Sequence, residues 1–511
     1  MRVSKILSSV ATAAITLGMA AIPMLGADHS TTPISIVKGQ ANPAATLGAL
    51  AEPAAVANPE YGLFQCQVGL LTSVCYDPYQ VRKAYGIDKL ISAGFSGKGH
   101  TIVIVDAFQS PNIVQQLQTY DTFYSLPSLN FPGATPNSAL GTFTQVAPDG
   151  LTPFVTGNSN MTGWAEEISL DVLWAHAIAP GANITLVLAK SNNDSDILSA
   201  TRYAVDNNLG DIISQSFGEN ETCIDPDTLA AQHQLFADAT RKNITVLASS
   251  GDQGSAQQTC DGRSWTKVVS SPAVDPLVTG VGGTELHAAK YCFASLGCDP
   301  ATAPAFGTYQ GEIVWNELFG GNQTEATGGG FSQVFDEPAY QQGTIHGGKS
   351  RGVPDVAYNA AIAHGVLTYL NIPGIPAGYY SFGGTSAGSP QWAALVAIAD
   401  QKAGGSLGFI NSALYKISQD STTYAANFHD ITSGNNAALE INSTPAVVSI
   451  PGYNATTGWD PTTGLGSPVA DSLVDALINQ VSPDDGIAAI AGSKPHAQRN
   501  PHNTTNSVHP N

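Results

Sequence analysis

The feature that most constrains this chain is a series of short apolar runs that alternate with helical segments from Lys98 onward. Residues 101–105, ending in Asp106, and 183–189, 211–214 and 244–248 each read as a buried strand. Helical patterns at 197–205 and 229–240 fall between them. Strands that are apolar along their whole length are covered on both faces, which is the signature of a parallel sheet between two helical layers. The fold class expected is α/β, a doubly wound parallel sheet. Ligand and catalytic groups in such sheets gather at the C-terminal strand ends.

One loop carries a candidate nucleophile. Gly383-Gly384-Thr385-Ser386-Ala387-Gly388-Ser389-Pro390 follows an aromatic run at 379–382 and precedes an Ala-rich apolar helix at 391–399. Glycines at such a junction allow a sharp turn that leaves the hydroxyl uncovered, and the helix N-terminus adds a positive field. The plainer alternative is a serine that caps a core helix. A candidate base lies in 166–180, a segment of helical length that is apolar nearly all round from Ile168 and stops at Pro180-Gly181. Glu167 and Asp171 fall one turn apart on one face. Two like charges repel there and burial raises at least one pKa, so a buried helix keeps such a pair mainly where it has work to do. An exposed acidic edge is the alternative, and it suits Glu166 better than Asp171. A third carboxylate, Asp252, follows the strand at 243–248 in the loop Ser249-Ser250-Gly251-Asp252-Gln253-Gly254. On its own it reads as a turn residue.

Together these residues resemble the sedolisins (serine-carboxyl peptidases), a branch of the subtilisin-like fold. The resemblance runs from about Tyr79 to Leu477, with its motifs in the family's order. They are Glu167 and Asp171, Ser214-Gln215-Ser216-Phe217-Gly218, Ser250-Gly251-Asp252, Val281-Gly282-Gly283-Thr284 and Gly328-Gly329-Gly330-Phe331-Ser332. Arg351-Gly352-Val353-Pro354-Asp355-Val356, the Ser386 octapeptide, Asp430-Ile431 and the run 458–466 complete the series. The resemblance implies a subtilisin-like three-layer architecture and an acid-active endopeptidase that cuts protein or peptide substrates through an acyl-enzyme on Ser386. Glu167 would be general base and then acid, with Asp171 as its partner. Asp252, protonated, would donate to the oxyanion beside the Ser386 N–H. Acid fits these roles: a histidine base, pKa about 6.5, is already protonated there, whereas a glutamate near 4.3 still accepts a proton. A carboxyl group donates only when neutral. Residues 214–218 would form an edge that pairs with substrate backbone. One structural calcium ion is implied as well, held by carboxylates of Asp430 and Asp460 and carbonyls of Ile431, Thr456 and Gly458; hard oxygen donors suit calcium better than zinc. Family members often carry Gly where Thr456 stands.

Two other readings stay beside this one: a tripeptidyl-peptidase of the same family, and an exported binding protein that kept the fold but lost catalysis. A conventional subtilisin triad would use Asp106 with a histidine before a glycine. The His-Gly pairs, His346-Gly347 and His364-Gly365, come late in the chain, so Asp106 is read as a supporting residue.

The ends differ from the middle. Residues 1–27 read as a secretory signal, with Arg2 and Lys5 ahead of an apolar run that Pro23 interrupts. Residues 28–70 are Ala- and Pro-rich, exposed and linker-like, and too short for the folded propeptide most sedolisins carry. The peptidase domain is expected over 71–480. Residues 481–511, rich in Pro, Asn and His, are expected to be a disordered tail whose His496, His502 and His509 are solvated, with weak metal binding by them as the alternative. Six cysteines behind an export signal suggest disulfides, expected as Cys66–Cys75, Cys223–Cys260 and Cys292–Cys298, although other arrangements fit the sequence too. Forty acidic residues against 20 Lys plus Arg argue against nucleic-acid and anionic-membrane partners, and sparse basic groups limit self-repulsion in acid. The expected product is a secreted monomer with no membrane association once the signal is removed.

Overall fold

The computed structural model describes residues 42–43, 46–57, 62–133, 135–319, 323–345, 349–444 and 446–496. All of them belong to one compact unit, Ile36–Asn511. In chain order, β1 (Asn42–Pro43), β2 (Thr46–Leu50) and β3 (Val74–Tyr76) precede the main sheet. Next come β4 (Thr101–Ala107), α1 (Ile113–Tyr124), β5 (Phe143–Val146), α2 (Ser159–Ile178), β6 (Asn183–Ala189) and α3 (Asp194–Asp206). Then follow β7 (Ile212–Gln215), β8 (Phe217–Asn220), α4 (Pro226–Arg241), β9 (Thr245–Ser249), β10 (Thr279–Ala288) and β11 (Tyr309–Val314). After β12 (Val356–Asn359), β13 (His364–Leu370) and β14 (Gly378–Gly383) come α5 (Gly388–Ala403), α6 (Ala470–Gln480) and α7 (Pro483–Gly492).

The main sheet runs β11-β10-β9-β7-β4-β6-β5, with β12 also on β10. Every pairing is parallel except β10 with β11. From β4 the chain goes to the far edge, returns beside β4 as β6, and then crosses to β7 on β4's other side. The C-terminal ends of β4 and β7 therefore flank the point where the winding reverses, the usual place for a site in such sheets.

Alternation along the strands sorts the two faces. Ile102 and Ile104 enter one core with Trp174 of α2 and Trp392 of α5, while Val103 and Val105 enter the other with Ala200 of α3 and Phe236 of α4. This is the expected three-layer arrangement, and it puts α2 and α5 side by side on one face. The Ser214 hydroxyl meets the Ser389 hydroxyl at 2.9 Å, fixing the start of α5 over β7. The three expected disulfides are all present.

Two expectations about the ends need correction. Within 28–70, the segment thought to be an exposed linker pairs with open strand edges: β1 runs antiparallel to β8, and β2 antiparallel to β14. Unsatisfied backbone groups at those edges give an Ala- and Pro-rich segment a place to pair. Within 481–511, residues 483–492 are helical. The Ser482 hydroxyl accepts from Asp484 N, Pro483 opens the helix, and Ile490 packs against the second core. His496 pairs with Asp336 at 2.9 Å. Residues 1–27, His346, His502 and His509 lie outside the described residues. No described helix is long and apolar enough to cross a membrane.

Candidate active site

Ser386 sits in a single 3-10 turn, Thr385–Ala387, between β14 and the first turn of α5. Gly384 enters that turn at φ +102°, where a side chain would be strained. Its amide donates to the Ala360 carbonyl at 2.7 Å. Gly383 has no room for a side chain either, since a Cβ there would come 2.6 Å from the Ala360 carbonyl oxygen. The turn is thus pinned to the end of β12, with Ser386 fully buried and its hydroxyl donating to the Ser216 carbonyl at 3.4 Å.

Glu167 and Asp171 project from the middle of α2, which Asn158 caps through a bond from Met161 N at 3.1 Å. Both carboxyl groups are completely buried, as is Asp106 at the end of β4. Burial pushes Glu167 well above the ordinary carboxyl range, and the charges of Asp171 and Asp106 push it further. Asp171 is raised by burial too, and Asp106 by burial and then by Asp171. The hydroxyl of Ser386 faces Glu167, and that of Ser216 faces Asp171, each offsetting part of the rise. Neither contact meets full hydrogen-bond geometry, and among the described residues none of the six carboxyl oxygens of Glu167, Asp171 and Asp106 has a well-aligned donor. Among the described residues no cation faces the three acids, and their mutual repulsion disfavours ionising all of them together.

Asp252 comes from the loop after the C-terminal end of β9. Gly251 precedes it at φ +105°, and the Gly251 amide donates to the Thr385 hydroxyl at 3.1 Å. The Thr385 amide and hydroxyl both donate to Asp252 Oδ1 at 2.8 Å. With Oδ1 accepting twice, a proton on this carboxyl belongs on Oδ2. The loop is braced by the Gly328 motif: the Ser250 hydroxyl donates to the Gly328 carbonyl at 2.7 Å, and the Gly328 amide to the Gly251 carbonyl at 2.7 Å. A Cβ on Gly328 would lie 2.0 Å from the Ser250 carbonyl oxygen, which is why glycine stands there.

The structure therefore brings Ser386, Glu167, Asp171 and Asp252 together from three separate segments. It adds Asp106, Ser216 and Thr385, which the sequence reading had as a supporting residue, a strand residue and a turn residue. Among the described residues, no histidine has a hydrogen bond or ion pair to Ser386, Glu167 or Asp106; His176 is held by Asp121 and His233 by Asp275. Arg351 and Asp355 are scaffold: a buried pair at 2.5 Å in which Asp355 also accepts from the Gly280 amide, tying β10 to the approach to β12.

The residues read as a calcium site also converge. Gly458 N donates to both Asp430 oxygens at 3.1 and 3.2 Å, and Thr456 N to Asp460 Oδ2 at 3.0 Å. Asp460 Oδ1 takes the amides of Thr462 and Thr463 at 2.8 and 3.0 Å, and Ile431 is buried beside Asp430. Two carboxylates from separate loops that both accept from the 456–458 backbone, with only oxygen donors among the five residues, match the chemistry of a hard cation.

A model of the subtilase family matches residues 153–419. Kumamolisin of Bacillus sp. (strain MN-32) is 32% identical over 433 residues, 82% of this chain and 67% of that protein. Sedolisin of Pseudomonas sp. (strain 101) is 32% identical over 283 residues, 54% of this chain and 42% of that one. Tripeptidyl-peptidase sed4 of Aspergillus fumigatus is 29% identical over 328 residues, 57% of this chain and 48% of that one. The chain thus spans about two thirds of the first of these relatives and less than half of the other two. Among solved structures, Pseudomonas sedolisin, a serine-carboxyl proteinase complexed with two molecules of pseudo-iodotyrostatin, superposes with a TM-score of 0.63 at 27% identity, covering 80% of this chain and all of that one.

Proposed function

This chain belongs to the sedolisins, serine-carboxyl peptidases within the subtilase family, and from that premise we propose that it is a secreted, monomeric endopeptidase working in acid on protein and peptide substrates. The observation that carries the reading is the meeting of Ser386 with a fully buried, mutually repelling acid pair in place of an imidazole. Ser386 Oγ attacks the scissile carbonyl carbon while Glu167 takes the hydroxyl proton, and Asp171 holds Glu167 in place. The tetrahedral oxyanion receives a hydrogen bond from neutral Asp252 and another from the Ser386 amide. Collapse breaks the C–N bond, and Glu167 returns the proton to the leaving amine. Water then repeats the sequence on the acyl-enzyme, with Glu167 again as base.

The competent form has one proton on the Glu167–Asp171 pair and one on Asp252. Rising pH strips both, so activity falls towards neutrality; strong acid protonates the base, so the profile is bell-shaped. Internal cleavage draws support from β8, whose edge already accepts backbone from β1, a segment with chain on both sides. A tripeptidyl-peptidase would instead need a free amino end at the cut. The calcium reading is also ours: Asp430 and Asp460, with the carbonyls of Ile431, Thr456 and Gly458, would hold one ion that bridges the 430 and 456–460 loops.

The test is digestion of denatured globin at about pH 3 to 4, where unperturbed carboxyl groups titrate, by the parent and by Ser386→Ala. Loss of cleavage in the variant is expected. Equal cleavage by both ends the Ser386 mechanism. End-blocked peptides in the same assay separate internal cutting from removal of tripeptides.

A further inference from the structure

A second cluster of reactive side chains belongs to neither site above. Glu285 and His287 lie two residues apart on β10 and so share one face. His364, the first residue of β13, meets them there. His287 Nε2 is 3.2 Å from Glu285 Oε1, and His364 Nε2 is 3.8 Å from the same oxygen. All three ligand atoms lie within 4.8 Å of one another. The imidazole rings stand edge to face, their centres 4.6 Å apart at 75°. A tetrahedral ion with bonds of about 2.0–2.1 Å sets its donor atoms about 3.3 Å apart. One edge of that tetrahedron is already met, a second is half an ångström long, and the third is bounded at 4.8 Å.

The surroundings fix the donors. His364 Nδ1 is 2.7 Å from the Leu286 carbonyl, so Nδ1–H donates there and the Nε2 lone pair faces Glu285 and His287. The Tyr76 hydroxyl donates to the same carbonyl at 2.8 Å. Asn359 spans the two strands: its Oδ1 accepts from Leu286 N at 2.9 Å and its Nδ2 donates to the His364 carbonyl at 2.8 Å. Asn359 therefore ties the two ligand-bearing strands together. Access is open on the remaining side. The His287 side chain is 43% exposed, against 19% for Glu285 and 16% for His364. Opposite His287 on β11 stands Gly311, where even a Cβ would meet nothing within 4 Å.

We propose that Glu285, His287 and His364 bind one divalent transition-metal ion of the zinc class, with solvent in the fourth position. Two imidazoles and one carboxylate select such ions over calcium and magnesium, which take all-oxygen sets. The ion would cross-link β10, the strand that carries the Val281-Gly282-Gly283-Thr284 run, to β13, whose antiparallel partner β14 leads into Ser386.

The test uses the full chain carrying Ser386→Ala, which prevents self-digestion, stripped with chelator and returned to millimolar calcium at pH 7. Titration calorimetry with zinc chloride is expected to give one equivalent bound with a micromolar or tighter Kd, and zinc is expected to raise the melting temperature. His287→Ala and His364→Ala are each expected to weaken binding at least tenfold and to abolish that rise, and Glu285→Gln to weaken it less. No saturable binding in the parent overturns the proposal. Binding in His287→Ala equal to the parent overturns it as well, by assigning the zinc to other histidines such as His496. His287 is the most exposed of the three, so this variant decides the matter even if His364→Ala fails to fold.

Discussion

Replacing Asp400 by Asn should flatten the loss of stability that this protein suffers as pH rises. Asp400 lies on α5 with 0% of its surface exposed. Its Oδ1 accepts from Leu407 N at 2.8 Å, while His100 Nδ1 stands 3.9 Å from Oδ2, beyond hydrogen-bond reach. Burial pushes the carboxyl up to about 8; the Leu407 amide pulls it back in part, and the charge of Asp211 adds to the rise. In the unfolded chain the group titrates near 3.9. Below that value both states are protonated and the full stability is present. Above it the unfolded chain ionises while the folded protein holds its proton, so stability declines until pH passes the folded value. Three pH units at about 1.36 kcal/mol each set a ceiling of ~4 kcal/mol lost between pH 4 and 7. That is a large share of the roughly 5–15 kcal/mol that holds a typical domain together. Asparagine keeps the acceptor for Leu407 N and cannot ionise. Urea unfolding at pH 4, 5, 6 and 7, both proteins carrying Ser386→Ala, should show the variant gaining on the parent by roughly 2–4 kcal/mol across that range. Any fixed cost of housing the amide appears equally at every pH and cancels. Parallel curves, with the difference constant from pH 4 to 7, would refute the reasoning.

Four further outcomes follow from the two sites. Glu167→Gln should lose about 10²- to 10⁴-fold in kcat with its circular dichroism unchanged, since the amide fits the pocket but takes no proton; stopped-flow hydrolysis of a peptide substrate measures this. Asp252→Ala should lose about 10²- to 10³-fold in kcat with a smaller change in KM, as removal of an oxyanion donor does. Calcium chelation should lower the melting temperature by several degrees, because an ion at a hundredfold its Kd contributes about 2.7 kcal/mol. Asp460→Ala should show the lower melting temperature already and no response to chelator.

What the sequence made legible was local or ordered. The strands from Thr101 onward are apolar runs bounded by Gly, Pro and Asn, and Glu167 with Asp171 show their pairing through helical spacing alone. The contact of Asp106 with Asp171 was not legible, because it joins the end of one strand to a helix sixty-odd positions away and leaves no periodic trace. The pairing of 46–50 with β14 was hidden for the same reason: its partner lies more than three hundred residues on. Helix α7 did leave a signal. Ser482-Pro483 followed by Asp484 and Asp485 is a helix start with acids in the first turn, outweighed by the polar composition around it. For the Glu285, His287 and His364 cluster, half the pattern is local, the i, i+2 pair on one strand, and half is long-range.

If substrate backbone pairs with the edge at Phe217–Gly218, the antiparallel contact of Asn42–Pro43 there makes recognition a contest between resident and visitor. A segment tethered to the same molecule competes at an effective concentration of order millimolar. A foreign peptide that needs this edge therefore binds with an apparent affinity reduced by the fraction of time the edge stands vacant. Severing the chain just beyond the resident strand would turn that tethered rival into a dilute, diffusible one, and the handicap would vanish without any change in the residues that do the chemistry.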